Sequence, residues 1–246
     1  MFVYYSTIYD SFYRDKNYVA ECRNLFRIAS SLTSKLELCL EIGAGSGTFT
    51  RELVKFTKHI EAFELSEPMA KLCARNLAEF KNINVNQGDL LQTLNSAIHE
   101  NSIDLLVANF HVFTYFTNSE VDLFIKICKL FLRKGGVVCF DFWDLEAVVA
   151  NPPLPVVKEA KHQGKKITRK TFPSTNQDCT EVEVNFDFYH ESTLLFSECH
   201  RMFPRTLEEI KIKFEKDFYF CGSFDIESGE SYSQKKYGNL VYFKKN

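Results

Sequence analysis

No stretch of roughly 20 consecutive apolar residues occurs in this chain of 246 residues, so no membrane-spanning helix is expected. Its opening, Met1-Phe2-Val3-Tyr4-Tyr5-Ser6, has neither the charged leader nor the apolar core of a secretory signal, and a cytoplasmic location is expected. Net charge is nearly absent, at −2, which removes any global attraction for nucleic acid or an anionic membrane; neither is an expected partner. Cysteine is not scarce, with eight residues, yet no Cys-x-x-Cys pair is present. Cys39, Cys73, Cys128 and Cys139 fall inside apolar patterns and read as small buried hydrophobes in a reducing compartment. Cys199-His200 is the one Cys/His neighbour pair, and adjacency alone does not build a metal site, so no metal is expected. Internal repeats and low-complexity segments are also missing. The length allows one substantial core, or a core plus a small lobe. What the chain has in excess is phenylalanine, 24 residues, read as core filler.

The informative stretch is Leu40-Glu41-Ile42-Gly43-Ala44-Gly45-Ser46-Gly47, an acidic residue closing an apolar run and followed by glycines at alternate positions. Glycines there let the backbone turn out of a strand and approach a ligand with no Cβ in the way. A dinucleotide fingerprint would need its third glycine one position later, where Thr48 stands. Glu41 suits a cationic, aminoacyl-bearing cofactor better than a pyrophosphate, which a carboxylate repels. The spacing points to S-adenosylmethionine; the alternative is a plain strand-turn-helix.

Residues 36–143 read as alternating strands and helices. Strands are expected over Leu36–Ile42, Ile60–Leu65, Ile83–Gln87, Ile103–Asn109 and Val137–Phe142, with Gly135-Gly136 closing the region before the last. Helices are expected over Thr48–Phe56, Met69–Phe80 (Ser66 as N-cap, Pro68 in the first turn) and Glu120–Leu132, the last with Val121, Phe124, Ile125, Cys128 and Phe131 inward. This alternation implies an α/β, Rossmann-like, doubly wound parallel sheet with its ligand beyond the carboxyl ends of the strands. Glu41, Glu64, Asp89, Asn109 and Asp141 or Trp143 fall at such ends. After Trp143 the pattern changes. Three β-like segments, about Lys166–Phe172, Glu181–Tyr189 and Thr193–Phe203, form an inserted antiparallel β lobe. A helix Thr206–Lys216 and strands Phe218–Asp225 and Asn239–Lys244 return to the sheet, which closes at seven strands. The expected organisation is a helical lid over 1–35, a core over 36–149 and 205–246, and the lobe over 150–204.

Glu64 stands about 20 residues after Gly43, where a carboxylate accepts from ribose hydroxyls. Asp89, in Gly88-Asp89-Leu90, is placed for an adenine amino group or, alternatively, caps a turn Leu90–Leu94. Glu41 to Gly47, Glu64-Leu65-Ser66 with Met69, Gly88-Asp89, and Gly135-Gly136 before a strand together resemble a class I S-adenosylmethionine-dependent methyltransferase. Tyr9-Asp10-Ser11-Phe12-Tyr13-Arg14-Asp15-Lys16-Asn17-Tyr18 is similar to the opening of N,N-dimethyltransferases acting on nucleotide-linked amino sugars. Phe110-His111-Val112-Phe113-Thr114-Tyr115, Trp143 and the lobe fit that group too, although related enzymes of polysaccharide clusters share these features.

The resemblance implies S-adenosylmethionine as cofactor, with Gly43, Ala44, Gly45 and Gly47 beneath its methionine part and Glu41 behind them. It places Glu64 on the ribose with Leu65 and Met69 beside it, Asp89 and Leu90 on the adenine, and Asn109 facing the amino acid end. Tyr18 would close the cofactor pocket, and Tyr13, His111 and Tyr115 would face the acceptor. Tyr115 stands where some relatives have histidine, so a histidine base does not carry over there. His111 itself reads as either an acid/base group or a packed, hydrogen-bonded residue.

Asn151-Pro152-Pro153-Leu154 is read as linker, since Asn109-Phe110-His111-Val112 occupies the place after the fourth strand where an amine-orienting Asn-Pro-Pro would act. That counts against a DNA-base or protein-glutamine acceptor. Lys158, Lys161, Lys165, Lys166, Arg169 and Lys170 form a basic run, either a solvated face or a clamp for a diphosphate. The expected partner is a small-molecule acceptor such as a nucleotide sugar, methylated on nitrogen. O-methylation, a nicotinamide-dependent oxidoreductase and a non-catalytic cofactor-binding protein are the alternatives. The resemblance also implies a homodimer.

Overall fold

A computed structural model of the chain describes residues 4–90, 98–226, 228–230 and 237–246. The first half runs α1 (Tyr9–Phe12), α2 (Tyr18–Leu32), β1 (Leu38–Ile42), α3 (Thr48–Leu53), β2 (His59–Glu64), α4 (Glu67–Asn76), β3 (Ile83–Gln87), β4 (Ile103–Ala108) and α5 (Asn118–Phe131). The second runs β5 (Leu132–Trp143), α6 (Leu145–Ala150), β6 (Val156–His162), β7 (Lys165–Thr175), β8 (Val182–His190), β9 (Thr193–Met202), α7 (Leu207–Phe214), β10 (Phe218–Asp225) and β11 (Gly238–Lys245). Single 3-10 turns occupy Tyr5–Thr7 and Val112–Tyr115.

Seven strands form one sheet in the order β10-β11-β5-β4-β1-β2-β3. β1 to β5 are mutually parallel, and β11 is antiparallel to both its neighbours. Strand order reverses between β1 and β4, which opens the crevice where such sheets bind ligands. All six residues of β4 are buried because helices cover both faces. One face packs α2 and α3 through Leu25, Phe26, Phe49 and Leu53; the other packs α5 and α7 through Phe124, Phe131, Ile210 and Phe214. Reciprocal capping boxes start α5 (Thr117 with Glu120) and α7 (Thr206 with Glu209). Among the described residues no helix is long and apolar enough to cross a membrane.

β6 to β9 make a separate four-stranded antiparallel sheet. Its apolar side does not stand alone. Ile167 and Phe188 pack against Tyr5, Ile8 and Phe12 of the N-terminal segment, while Val182, Val184 and Met202 pack against Val148 of α6.

The inserted lobe and the seven-stranded sheet match the expected fold, with local differences. The lobe has a fourth strand, β6, whose exposed Val156 and Val157 and interspersed charges hide the alternation. α6 is also additional; Asp144, buried at its N-cap, accepts from the Glu146 amide. Gly135-Gly136 lies inside β5 rather than ending a region. A Cβ on Gly136 would meet the Arg133 and Ile103 carbonyl oxygens at 2.9 and 3.0 Å, so the glycine permits strand pairing there. In α5 the inward residue is Ile127, with Ile125 half-buried. The turn Leu90–Leu94 extends beyond the described residues.

Candidate active site

At the carboxyl ends of β1, β2, β3 and β4 lies a cleft of about 510 Å³ whose other walls come from the N-terminal segment and the lobe. It gathers twelve of the residues singled out above: Tyr13, Tyr18, Gly43, Ala44, Gly45, Glu64, Leu65, Met69, Asp89, Leu90, His111 and Tyr115. Glu41, Gly47 and Asn109 lie behind its surface rather than on it.

The sheet side is shaped by backbone. Gly43 has φ of +77°, and a Cβ on it would fall 2.4 Å from Val112 Cγ2, so the turn is pressed against the loop after β4. Gly45 is left-handed as well, but its nearest neighbour is Met69 Cε at 3.7 Å, leaving an open cradle above the turn. Glu64 holds that turn: its Oε2 accepts from Gly45 N at 2.8 Å and its Oε1 from Ser66 N at 2.8 Å. Each oxygen keeps a lone pair for a ligand hydroxyl. Burial raises the Glu64 carboxyl above the usual range, opposed by the backbone donors. Beneath the turn, burial pushes Glu41 up to about 7, opposed by the Thr50 hydroxyl and reinforced by the Glu64 charge. β4 pairs with β1 at Glu41–Val107, so Asn109 falls level with Gly43; both of its side-chain polar atoms are buried without a partner among the described residues. Open cradle, ribose-ready carboxylate and unpaired amide together fit an aminoacyl nucleoside such as S-adenosylmethionine.

The opposite side is made of side chains. Phe110 and His111 both adopt left-handed conformations, φ 60° and 67°, which cost non-glycine residues about 1–3 kcal/mol each. Packing holds them there. The Phe110 ring meets Phe49 and Tyr18 at 5.2 and 5.4 Å, with Lys16 Nζ 3.7 Å from its centroid. His111 N donates to Asp141 Oδ1 at 2.7 Å, and His111 Nδ1 stands 3.0 Å from Asp141 Oδ2. Tyr13 belongs to a cluster with Arg169, whose Nη1 donates to Tyr5 Oη at 2.7 Å and Tyr13 Oη at 3.3 Å; Tyr5 Oη donates to Tyr13 at 3.3 Å. Accepting from both, Tyr13 keeps its own hydroxyl hydrogen for another acceptor. Tyr115 Oη is 2.8 Å from His200 Nδ1, and burial raises its ionisation far above the ordinary phenol value.

Tyr5, Phe186 and His200 are wall residues that sequence reasoning missed, and Tyr9 and Lys16, named there only as part of the opening motif, also line the wall. His200 was legible in part, because strand alternation turns Cys199 outward and His200 inward beside Glu198. The basic run does not form a single clamp. Lys165 and Lys166 are exposed, with Lys166 paired to Glu159 at 2.8 Å. Lys170 lies over the Tyr189 ring, Lys158 donates to the Phe12 carbonyl with its ammonium 5.5 Å from the Tyr13 ring centroid, and Arg169 donates to the tyrosine hydroxyls themselves.

Residues 39–136 match a family described as "Methyltransferase domain". A phosphoethanolamine N-methyltransferase of Triticum aestivum is 32% identical over 101 residues, 41% of this chain and 20% of that protein. A probable ribosomal RNA small subunit methyltransferase A of Methanococcus maripaludis is 32% identical over 81 residues, 33% of this chain and 28% of that protein. The chain thus spans well under half the length of these relatives. In fold it is similar to an S-adenosylmethionine-dependent methyltransferase from Clostridium acetobutylicum, with TM-score 0.79 and 15% identity over 99% of this chain and 98% of the other. It is also similar to an S-adenosylmethionine-bound amino pentose methyltransferase from Micromonospora echinaspora, with TM-score 0.71 and 15% identity over 100% and 98%. The stretch that carries the glycine turn and the central strand ends is thus similar to a methyltransferase domain, set in the fold of S-adenosylmethionine-dependent methyltransferases.

Proposed function

We propose that the chain transfers a methyl group to a small amine, specifically the amino group of a nucleotide-linked sugar. The supporting observation is one cleft that sets the cradle at Gly45 and Glu64 opposite Tyr13, His111 and Tyr115. The bound cofactor would supply an electrophilic sulfonium methyl. Tyr18 and Lys16 would cover it from the N-terminal segment. Tyr13, offering a hydrogen, and Tyr115, offering a lone pair, suit an acceptor that carries a hydroxyl or ring oxygen beside an N–H. Holding such a nitrogen in line supplies much of the rate without strong base assistance. A net charge of −2 and a basic run scattered over the lobe disfavour an RNA acceptor. The amino pentose methyltransferase of similar fold and the phosphoethanolamine enzyme agree with an amine.

O-methylation is the second reading, favoured by the His111–Asp141 pair, because a hydroxyl needs a base. Calorimetry should show S-adenosylhomocysteine binding and no NAD binding. Mass detection across dTDP- and UDP-linked amino hexoses, their hydroxyl counterparts and phosphoethanolamine should show one or two methyls added to an amino sugar. Tight NAD binding without adenosylhomocysteine binding overturns the reading; adenosylhomocysteine binding without methylation of any acceptor leaves a non-catalytic protein.

A further inference from the structure

Behind Tyr115 a chain of polar groups runs away from the cleft. Tyr115 Oη lies 2.8 Å from His200 Nδ1, and His200 Nε2 lies 3.3 Å from Glu198 Oε2. Glu198 Oε1 accepts from the Tyr5 amide at 3.2 Å, which ties the lobe to the N-terminal segment. His200 is 2% exposed, so its protons exchange through these partners rather than through bulk water. The partners also set the direction of each hydrogen bond. A carboxylate only accepts, so Nε2 carries the hydrogen and Nδ1 is bare. Tyr115 must then donate to Nδ1, and its remaining lone pair is left for a donor in the cleft. Among the described residues the groups facing this chain include Phe186 on β8, edge-on to His200 at 5.0 Å, the buried Tyr9, which interacts with Tyr115, and the hydroxyls of Tyr5 and Tyr13 held by Arg169.

We propose that His200, acting through Tyr115, takes the proton that must leave the acceptor's ammonium before its nitrogen can attack. The N–H proton passes to Tyr115 Oη while the Tyr115 proton passes to His200 Nδ1. The nitrogen keeps the bond pair as its lone pair, and His200 becomes an imidazolium facing Glu198. No phenolate forms, as the high ionisation of Tyr115 demands. His200 is thereby a positioning residue contributed by the lobe, and His111 only orients the amine. This inference rests on the amine reading above.

His200→Asn keeps an oxygen at the Nδ1 position for Tyr115 but cannot take a proton. An amine of pKa about 8 is mostly protonated at pH 6.5 and mostly free at pH 9. With the amino hexose methylated in the panel, kcat of His200→Asn should fall about tenfold or more at pH 6.5 and rejoin the wild type near pH 9, with adenosylhomocysteine affinity unchanged. Tyr115→Phe, which removes the bridging oxygen and its contact with the acceptor, should lose activity at every pH but about tenfold more at pH 6.5 than at pH 9, and it replaces His200→Asn if that variant does not fold. Independently of turnover, nitrogen NMR of the wild type at pH 8 should show His200 as the Nε2–H tautomer. An Nδ1–H tautomer, a defect equal at every pH, or full activity overturns the relay. So does a low-pH defect that appears in His111→Asn instead. Failure of the wild type to methylate any amine sinks the amine reading and the relay with it; wild-type activity of His200→Asn at pH 6.5 sinks the relay alone.

Discussion

The two sides of the cleft are built by different means. The cofactor side is backbone turned at the ends of neighbouring strands, with Glu64 bonded to amides 19 and 2 residues away. The acceptor side is side chains delivered across the molecule: Tyr115 meets His200 over 85 residues, Arg169 meets Tyr5 over 164, and the Tyr5 amide meets Glu198 over 193. A common cofactor asks for a local turn that short sequence can specify. A particular acceptor is recognised by groups that only a second sheet and a folded-over N-terminal segment bring within reach.

If the two sides are separable, damage to one should spare the other. The largest effect is expected from Gly43→Ala, which forces a Cβ into Val112 Cγ2 at a left-handed φ. Strain and overpacking together cost roughly 4 kcal/mol, read as a lowered Tm and lost adenosylhomocysteine binding by calorimetry. Because Val112 follows His111, this is also where the separation should fail first; normal acceptor binding by the variant would show that the sides are more independent than their contact implies.

Glu41 probes the support under the cofactor turn. Its carboxyl rises from 4.5 when unfolded to about 7 in the fold, so between those pH values the folded state holds the extra proton. Stability from this group is complete below about pH 4.5 and is lost as pH rises towards and through 7, a change of about 3 kcal/mol. Urea titrations at pH 5 and pH 8 should show that decline in the wild type and not in Glu41→Gln. Parallel curves for the two proteins would place the ionisation elsewhere.

The smallest effects test the acceptor side. Arg169→Met removes the donor to Tyr5 and Tyr13 and should raise the acceptor KM roughly tenfold, equivalent to about 1.4 kcal/mol, with cofactor affinity within about twofold. Lys165→Ala with Lys166→Ala should change neither by more than about twofold, since both side chains are exposed. Equal KM effects from the two sets would restore the whole basic run as a clamp and erase the distinction.

Much of the fold was legible because its signals are local. Parallel strands buried on both faces read as short apolar runs, Ser66-Glu67-Pro68 marks a helix start, and Val182 to Phe188 alternate as a half-buried strand. β6 was hidden because Val156 and Val157 are exposed and its charges do not alternate with a buried face. In the site, residues within the glycine turn and at strand ends could be named from spacing. Arg169 looked like one basic residue among six until the N-terminal tyrosines were packed against β7, and His200 looked like half of an idle Cys-His pair.

The amino-acid sequence by itself determined the alternating sheet, the glycine turn and, through both, the chemistry of the methyl donor. These follow from backbone conformations and burial patterns that neighbouring residues specify. Only the tertiary structure decided what faces that donor. The Tyr115–His200 bond, the Tyr5 hydroxyl held by Arg169 and the strained His111 beside Asp141 join residues that stand 85, 164 and 30 positions apart. Their geometry exists once the lobe, the loop after β4 and the N-terminal segment are packed into one wall.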